Sequence, residues 1–198
     1  MNEKEWFPEK FSEIEQSKFI LRNAYRETTE RTISIHFFYS NPFVDAFYLQ
    51  MYCFDQEWNV IKSTLKRSNG TNKKDYILVE KGEISSSAPF NQLLNLIKTT
   101  LPSIFPLNDN QLEWRDGEQV ELSIENEIYE TSFSWWLDLC PEDWSVLDKI
   151  AYKILEIEKN TVYKPKMKQH FDLIMEQTSQ DLNSVQEKSL LLSYKRID

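Results

Sequence analysis

The segment ISIHFFYSNPFVDAFYLQMYCF, residues 33–54, decides the fold that the sequence predicts. Large apolar side chains occupy alternate positions on both sides of Asn41-Pro42, and many of them are β-branched or aromatic. Alternation with a period of two is typical of a strand, and an Asn-Pro pair is typical of a turn. The segment therefore predicts two neighbouring antiparallel strands.

Two further strand patterns follow this segment. Residues 58–65 form a candidate strand after Asp55-Gln56-Glu57, and residues 76–79 form another after the turn signal Asn69-Gly70. Short connections of this kind join antiparallel neighbours. Together with the first two strands, they predict a four-stranded antiparallel meander.

A second strand pair is predicted later in the chain. Residues 119–124 alternate between apolar and polar side chains, residues 128–135 do the same, and Glu125-Asn126-Glu127 joins them. This pattern predicts a hairpin with an apolar inner side and an acidic outer side, on which Glu121 and Glu130 face each other.

Apolar spacings of three and four residues predict four helices. They are expected at about residues 8–24, from the Ser85–Ser87 caps to Pro102, from Pro141 to about Leu155, and from Met167 to about Val185, after Lys164-Pro165. An antiparallel sheet packed with about four helices is an α+β fold. We expect one α+β domain over residues 1–198.

Composition excludes several classes of function. A chain of 198 residues with 40% hydrophobic residues can bury one full core. Only three glycines are present, so a phosphate-cradling loop is not expected. A formal net charge of −9 opposes nonspecific binding to nucleic acid. We therefore expect neither a nucleotide cofactor nor a nucleic-acid partner.

The sequence also predicts a cytoplasmic location. Cys53 and Cys140 lie far apart in a long, glycine-poor chain, which is unlike a secreted disulfide framework. The first residues lack a basic region followed by an apolar run, and no segment approaches the ~20 apolar residues of a membrane span. We expect two free thiols and no membrane partner.

The histidines and cysteines form no catalytic or metal-binding pattern. His36 and His170 are the only histidines, and no zinc-type ligand spacing is present. Cys140 precedes Pro141 at a predicted helix start, where the helix dipole lowers a thiol pKa, but neighbouring carboxylates such as Asp138 raise it. A structural cysteine is the favoured interpretation. We predict no metal site, no cofactor and no catalytic residue.

The charge of the chain is concentrated in one short segment. Residues 113–143 contain ten acidic residues and one basic residue, Arg115, a net charge of −9 that equals the charge of the whole chain. Four of the six tryptophans lie in this segment or directly beside it. Localised charge among large aromatic residues indicates a surface that binds another molecule.

Periodicity divides this segment into two sides. Trp135 belongs to the apolar side of the hairpin, whereas Trp136 belongs to the acidic side, where it is either an exposed binding residue or covered by the following helix. The predicted partner-binding residues are Glu121, Glu125, Glu127, Glu130, Trp136 and Asp138. We expect them to bind a basic protein. The oligomeric state stays open.

Two other functional classes are possible for such a sequence. A small enzyme or ligand-binding protein would use a pocket on the first sheet, lined by His36, Tyr48, Tyr52 and Cys53. A structural subunit of a larger assembly would self-associate through the last helix. A deep pocket around His36 would favour the first of these classes.

In general character the sequence resembles bacterial immunity proteins of contact-dependent inhibition and related polymorphic toxin systems. The resemblance rests on an acidic, single-domain α+β chain with an aromatic-rich core and no catalytic motif. It implies that the protein binds one cognate toxin tightly and blocks its active site, and many such toxins are basic nucleases. No functional residue carries over from these families.

Overall fold

A computed structural model describes residues 17–25, 32–41, 44–67, 75–100, 118–126, 130–137 and 145–170. Seven strands lie in these ranges: β1 (Ile33–Asn41), β2 (Val44–Phe54), β3 (Glu57–Lys66), β4 (Tyr76–Glu83), β5 (Gln119–Asn126), β6 (Glu130–Trp136) and β7 (Val162–His170). Three helical segments accompany them: α1, described over residues 17–23, α2 (Ala88–Thr100) and α3 (Ser145–Asn160).

All seven strands form one sheet in the order β6-β5-β1-β2-β3-β4-β7, and every neighbouring pair is antiparallel. The predicted meander is present as β1 to β4. Asp55 and Gln56 connect β2 to β3 with φ angles of 49° and 66°. Positive φ at both turn residues matches the right-handed twist of the strands that they join. The turn predicted at Asn69-Gly70 lies outside the described residues.

Helices α2 and α3 cover one face of the sheet. Alternate side chains of β1, β2, β3, β5 and β6 form the larger core with the buried faces of these two helices. The buried helix residues are Phe90, Leu93 and Ile97 of α2 and Leu147, Ile150, Ala151, Ile154 and Ile157 of α3. Both helices agree with the apolar spacings from which they were predicted.

Two indole groups connect this face of the sheet to the helices. Trp58 donates a hydrogen bond from Nε1 to Oδ1 of Asn91 on α2 over 3.1 Å. Trp135 donates from Nε1 to Oδ1 of Asp148 on α3 over 2.8 Å. A buried indole N–H needs such a partner, so these bonds fix where each helix sits on the sheet.

Helix α1 covers the opposite face. Ile20, Leu21 and Ala24 are buried there against a second core from β1 to β4. The sheet residues of this core are Phe38, Tyr48, Tyr52, Ile61, Leu65, Ile77 and Val79. The sheet is thus the middle of three layers, and both faces of β1 and β2 are buried.

The prediction of about four helices is wrong. Residues 162–170, which contain the start of the predicted last helix, form β7 and pair with β4. The register shifts between Val79 and Glu80, where Pro165 pairs with Glu80. Proline lacks an N–H, and strand ends, bulges and edge strands are where a sheet tolerates it. The helical spacing of Met167 with later apolar residues therefore does not indicate a helix at this position. The rest of the predicted last helix lies within residues 171–198, which are outside the described ranges.

We predict that Gly82→Ala destabilises the protein by about 1–3 kcal/mol, because the new Cβ overpacks a tight contact. That Cβ would lie 2.6 Å from Cγ2 of Thr161 and 3.2 Å from Cβ of Val60. Adding Thr161→Ser removes Cγ2 but keeps Oγ1, which donates to the Ile157 carbonyl over 2.7 Å. Urea unfolding of the single and double variants should therefore show partial recovery. Equal stability of Gly82→Ala and wild type would contradict this packing.

Candidate functional site

The predicted acidic hairpin consists of β5 and β6 and lies at the opposite end of the sheet from β7. Glu125 pairs directly with Glu130, and Glu121 pairs with Ser134. The expectation that Glu121 faces Glu130 is therefore wrong. Strand β5 extends to Asn126 and β6 begins only at Glu130, which moves the register of the predicted hairpin.

The hairpin has the two sides that its periodicity indicates. Trp135 is buried in the core under α2 and α3, and Phe133 packs against the same core. Trp136 is half-buried and lies on the other side, opposite Gln119. This intermediate exposure falls between the two alternatives that the sequence left open for Trp136.

Helix α1 brings two cations to the acidic side of the hairpin. Nζ of Lys18 lies 2.5 Å from Oε2 of Glu121, and the two side chains are only 20% and 16% exposed. Nη2 of Arg22 lies 3.9 Å from Oε1 of Glu130. Neither cation was predicted as part of this site, although their spacing of four residues places them on one face of a predicted helix. Glu121 therefore anchors α1 to the sheet.

Glu118 also has a structural role. Its Oε1 accepts a hydrogen bond from Nδ2 of Asn41 over 2.7 Å, and the same Nδ2 lies 3.2 Å from the Tyr39 hydroxyl. Burial raises the pKa of that hydroxyl above its usual value, and the charge of Glu118 adds to the effect. This carboxylate belongs to a network that joins β1 to the start of β5.

Glu125 and Glu130 remain as the exposed acidic pair of the described hairpin, with side chains 52% and 60% exposed. The Leu137 amide donates to the Glu118 carbonyl over 2.8 Å. Hydrogen-bonded pairs alternate along an antiparallel ladder, so this bond makes Glu125 and Glu130 a non-hydrogen-bonded pair, the type with the closest side chains.

Repulsion between these two carboxylates is only partly relieved. Directly opposed like charges cost up to ~1 kcal/mol. Arg22 approaches Glu130 to 3.9 Å, and Nε2 of His36 approaches Oε2 of Glu125 to 3.7 Å. Both contacts are long for a charged hydrogen bond. The Arg22–Glu130 pair is half-exposed and contributes little, and His36 supplies a positive charge only when it is protonated. The hairpin thus keeps an unfavourable negative site at the edge of the sheet.

Other predicted site residues fall outside the described ranges. Glu127 and Asp138 are among them, as is the candidate nucleophile Cys140. Their roles stay predictions. The second cysteine, Cys53, is partly buried, and burial raises its thiol pKa. A raised pKa lowers the thiolate fraction near neutral pH, which opposes nucleophilic chemistry at Cys53.

The alternative site around His36, Tyr48 and Tyr52 lies beneath α1. Both tyrosines are only 3% exposed and belong to the core that α1 covers. The ring of His36 lies 5.9 Å from that of Tyr48. Gln50, between the two tyrosines, donates from Nε2 to the Tyr25 carbonyl over 3.0 Å. Where the alternative function would need a ligand pocket, the described residues form a packed layer between sheet and helix.

A small cavity of about 140 Å³ lies on the other face of the sheet, between the start of α2 and the end of α3. Ser86 and Pro89 line it on one side, and Lys153 and Glu156 line it on the other. Nζ of Lys153 lies 2.8 Å from Oε2 of Glu156. The lysine charge is therefore already engaged within the protein.

The described residues contain no cluster of three or more metal-ligating side chains, and none of their helices is long and apolar enough to cross a membrane. No family model matches the sequence, and no curated protein matches it significantly. Evidence for function therefore comes from the geometry of the chain itself, and above all from the acidic hairpin.

We predict that Lys18→Met or Glu121→Gln lowers the free energy of unfolding by about 1–3 kcal/mol, because each leaves a largely buried partner charge uncompensated. Arg22→Met should change it by less than about 0.5 kcal/mol, because the Arg22–Glu130 contact is long and half-exposed. Denaturant unfolding of these variants and of the Lys18/Glu121 double variant measures the coupling. Additive effects of the two changes would contradict a direct ion pair between α1 and β5.

Proposed function

We propose that this protein is a non-enzymatic binding protein that uses the exposed acidic edge of its β5–β6 hairpin to bind a basic protein. The binding surface consists of Glu125, Glu130 and Trp136, with Glu127 and Asp138 as further predicted members. The observation that carries the proposal is the directly opposed, exposed pair of Glu125 and Glu130.

This pair favours binding because a partner cation would remove an existing repulsion. A Lys or Arg placed between Glu125 and Glu130 would gain two attractions and cancel the unfavourable term between the carboxylates. Negative potential at an exposed edge also accelerates encounter with a basic surface, in a manner that salt weakens. Half-buried Trp136 adds an aromatic contact of the kind enriched in binding hot spots.

Glu121 is not included in the proposed binding surface, because its carboxylate is already paired with Lys18. Its carboxylate holds α1 against the sheet, so reversal of its charge would damage the fold as well as the surface. The test of binding is therefore restricted to the exposed carboxylates. Glu121 instead fixes the orientation of α1 through Lys18.

A toxin of the basic nuclease class, met in the cytoplasm, is the partner that the general resemblance to immunity proteins implies. An acidic edge suits that class because a nuclease site that binds phosphate is itself positively charged. Binding is favoured over catalysis because Tyr48 and Tyr52 are buried, the His36 side chain is only 11% exposed, and burial raises the pKa of Cys53.

We predict that Glu125→Lys and Glu130→Lys each weaken partner binding at least tenfold and reduce its salt dependence. The partner is captured from lysate of the source organism at low salt, identified by mass spectrometry and purified. Dissociation constants are then measured by calorimetry at two salt concentrations. Loss of the negative site removes both the attraction and the steering.

Glu156→Lys is the matched control. The Glu156 side chain is 59% exposed, compared with 60% for Glu130, and each has one neighbouring cation. Glu156 lies on α3, against the other face of the sheet. Binding should stay within twofold of wild type in this variant. Equal weakening by Glu130→Lys and Glu156→Lys would show that net charge alone matters and would contradict a local site.

A further inference from the structure

We infer that the basic partner binds as an extended segment added to the outer edge of β6, which continues the sheet by one strand. This inference rests on the proposed function and specifies its binding mode. It follows from a difference between the two outermost strands of the sheet, β6 and β7. An outermost strand presents backbone N–H and C=O groups that pair readily with another chain.

Strand β7 carries features that oppose such pairing. Its sequence, VYKPKMKQH, contains Pro165, which has no N–H, and lysines at alternate positions, 164, 166 and 168. Nζ of Lys166 lies 4.3 Å from the ring centre of Tyr25, and Nζ of Lys168 lies 3.8 Å from that of Tyr76. Lysine and proline on an edge strand are common protections against added strands.

Strand β6 lacks these protections. Its sequence, ETSFSWW, contains no proline and no lysine, and it is rich in Thr, Ser, Phe and Trp. Thr and aromatic residues favour extended structure. The sheet thus ends in a protected strand on one side and, within the described residues, in an unprotected strand on the other.

The hydrogen-bond pattern shows which backbone groups β6 offers. Because the Leu137 amide donates to the Glu118 carbonyl, alternate residues Trp135, Phe133 and Thr131 direct their backbone groups toward β5. The intervening residues direct their N–H and C=O groups away from β5, toward the outer edge. These residues are Glu130, Ser132, Ser134 and Trp136.

The side chains of these four residues lie on the same face of the sheet. They therefore determine which side chains the added segment should present on that face. A residue opposite Glu130 would lie directly beside the Glu130 carboxylate, with Glu125 one strand further in, so the long cationic side chain of Lys or Arg fits there. A residue opposite Trp136, six positions away and about 20 Å along the strand, would meet an aromatic ring, so an apolar side chain fits there. The occupant is an extended segment with a basic and an apolar residue six positions apart.

The probe is a labelled seven-residue peptide of alternating Thr and Val, with Lys at one end and Leu at the other, prepared in both chain directions. Its control carries the Lys one position further in, where a strand presents it on the opposite face. Fluorescence anisotropy should show at least tenfold tighter binding of the first peptide in one of the two directions. No binding in either direction, or equal binding of the control, would overturn the inference.

Ser132→Pro tests the backbone contribution. The Ser132 N–H points away from β5, so proline there removes a group that the added strand needs and keeps the ladder with β5. We expect at least tenfold weaker peptide binding in Ser132→Pro and binding within twofold of wild type in Ser132→Ala. Undiminished binding by a folded Ser132→Pro protein would overturn strand addition.

A second measurement on the wild-type protein does not depend on whether the proline variant folds. Amide hydrogen exchange with and without the peptide should show new protection at Ser132 and Ser134, and no new protection at Phe133, which is already directed toward β5. Protection elsewhere, with none at Ser132 and Ser134, would overturn the inference.

The outcomes separate this inference from the proposed function. If Glu130→Lys weakens capture of the basic partner while Ser132→Pro does not, the acidic surface is correct and the binding mode is wrong. If neither change weakens capture of the partner, both proposals fail.

Discussion

Burial of the sheet on both faces is the constraint on which the rest of this structure depends. Phe37 and Phe38 are adjacent in β1, so their side chains point to opposite faces, and both are fully buried. Helices α2 and α3 cover one side and α1 covers the other. The Lys18–Glu121 ion pair lies at the margin of the α1 layer and fixes that helix against β5.

Among the described residues, the two edges of the sheet are its most exposed parts. The two edges carry charges of opposite sign. Lysines alternate along β7, whereas Glu125 and Glu130 meet at the β5–β6 end. Two other acidic residues of this region are already engaged within the protein, Glu121 with Lys18 of α1 and Glu118, just before β5, with Asn41. Within its described part, a segment that looks uniformly acidic in sequence thus separates into structural carboxylates and an exposed pair.

Local patterns sufficed to predict the meander, the hairpin, two of the helices and the buried position of Trp135, because period and turn chemistry depend on near neighbours. Features set by distant contacts were not predictable in the same way. Met167 fits a helical spacing, but pairing with Val79 places it in a strand. Lys18 meets Glu121 across 103 residues, so the neutralisation of that carboxylate was not visible in the sequence. The packed layer at Tyr48 and Tyr52, where the alternative function would need a pocket, also depends on a distant contact, because α1 covers both tyrosines.

We propose that the Glu125–Glu130 pair lowers the stability of the free protein and is kept because it binds a basic partner. A double-mutant cycle of Glu125→Gln and Glu130→Gln on the free energy of unfolding, measured in the protein alone at low salt, tests whether the two carboxylates repel each other. We expect an unfavourable coupling of about 0.5–1 kcal/mol between the two carboxylates, which decreases as salt is added. A coupling that is zero or favourable would show that the pair does not destabilise the free protein and would overturn the proposal.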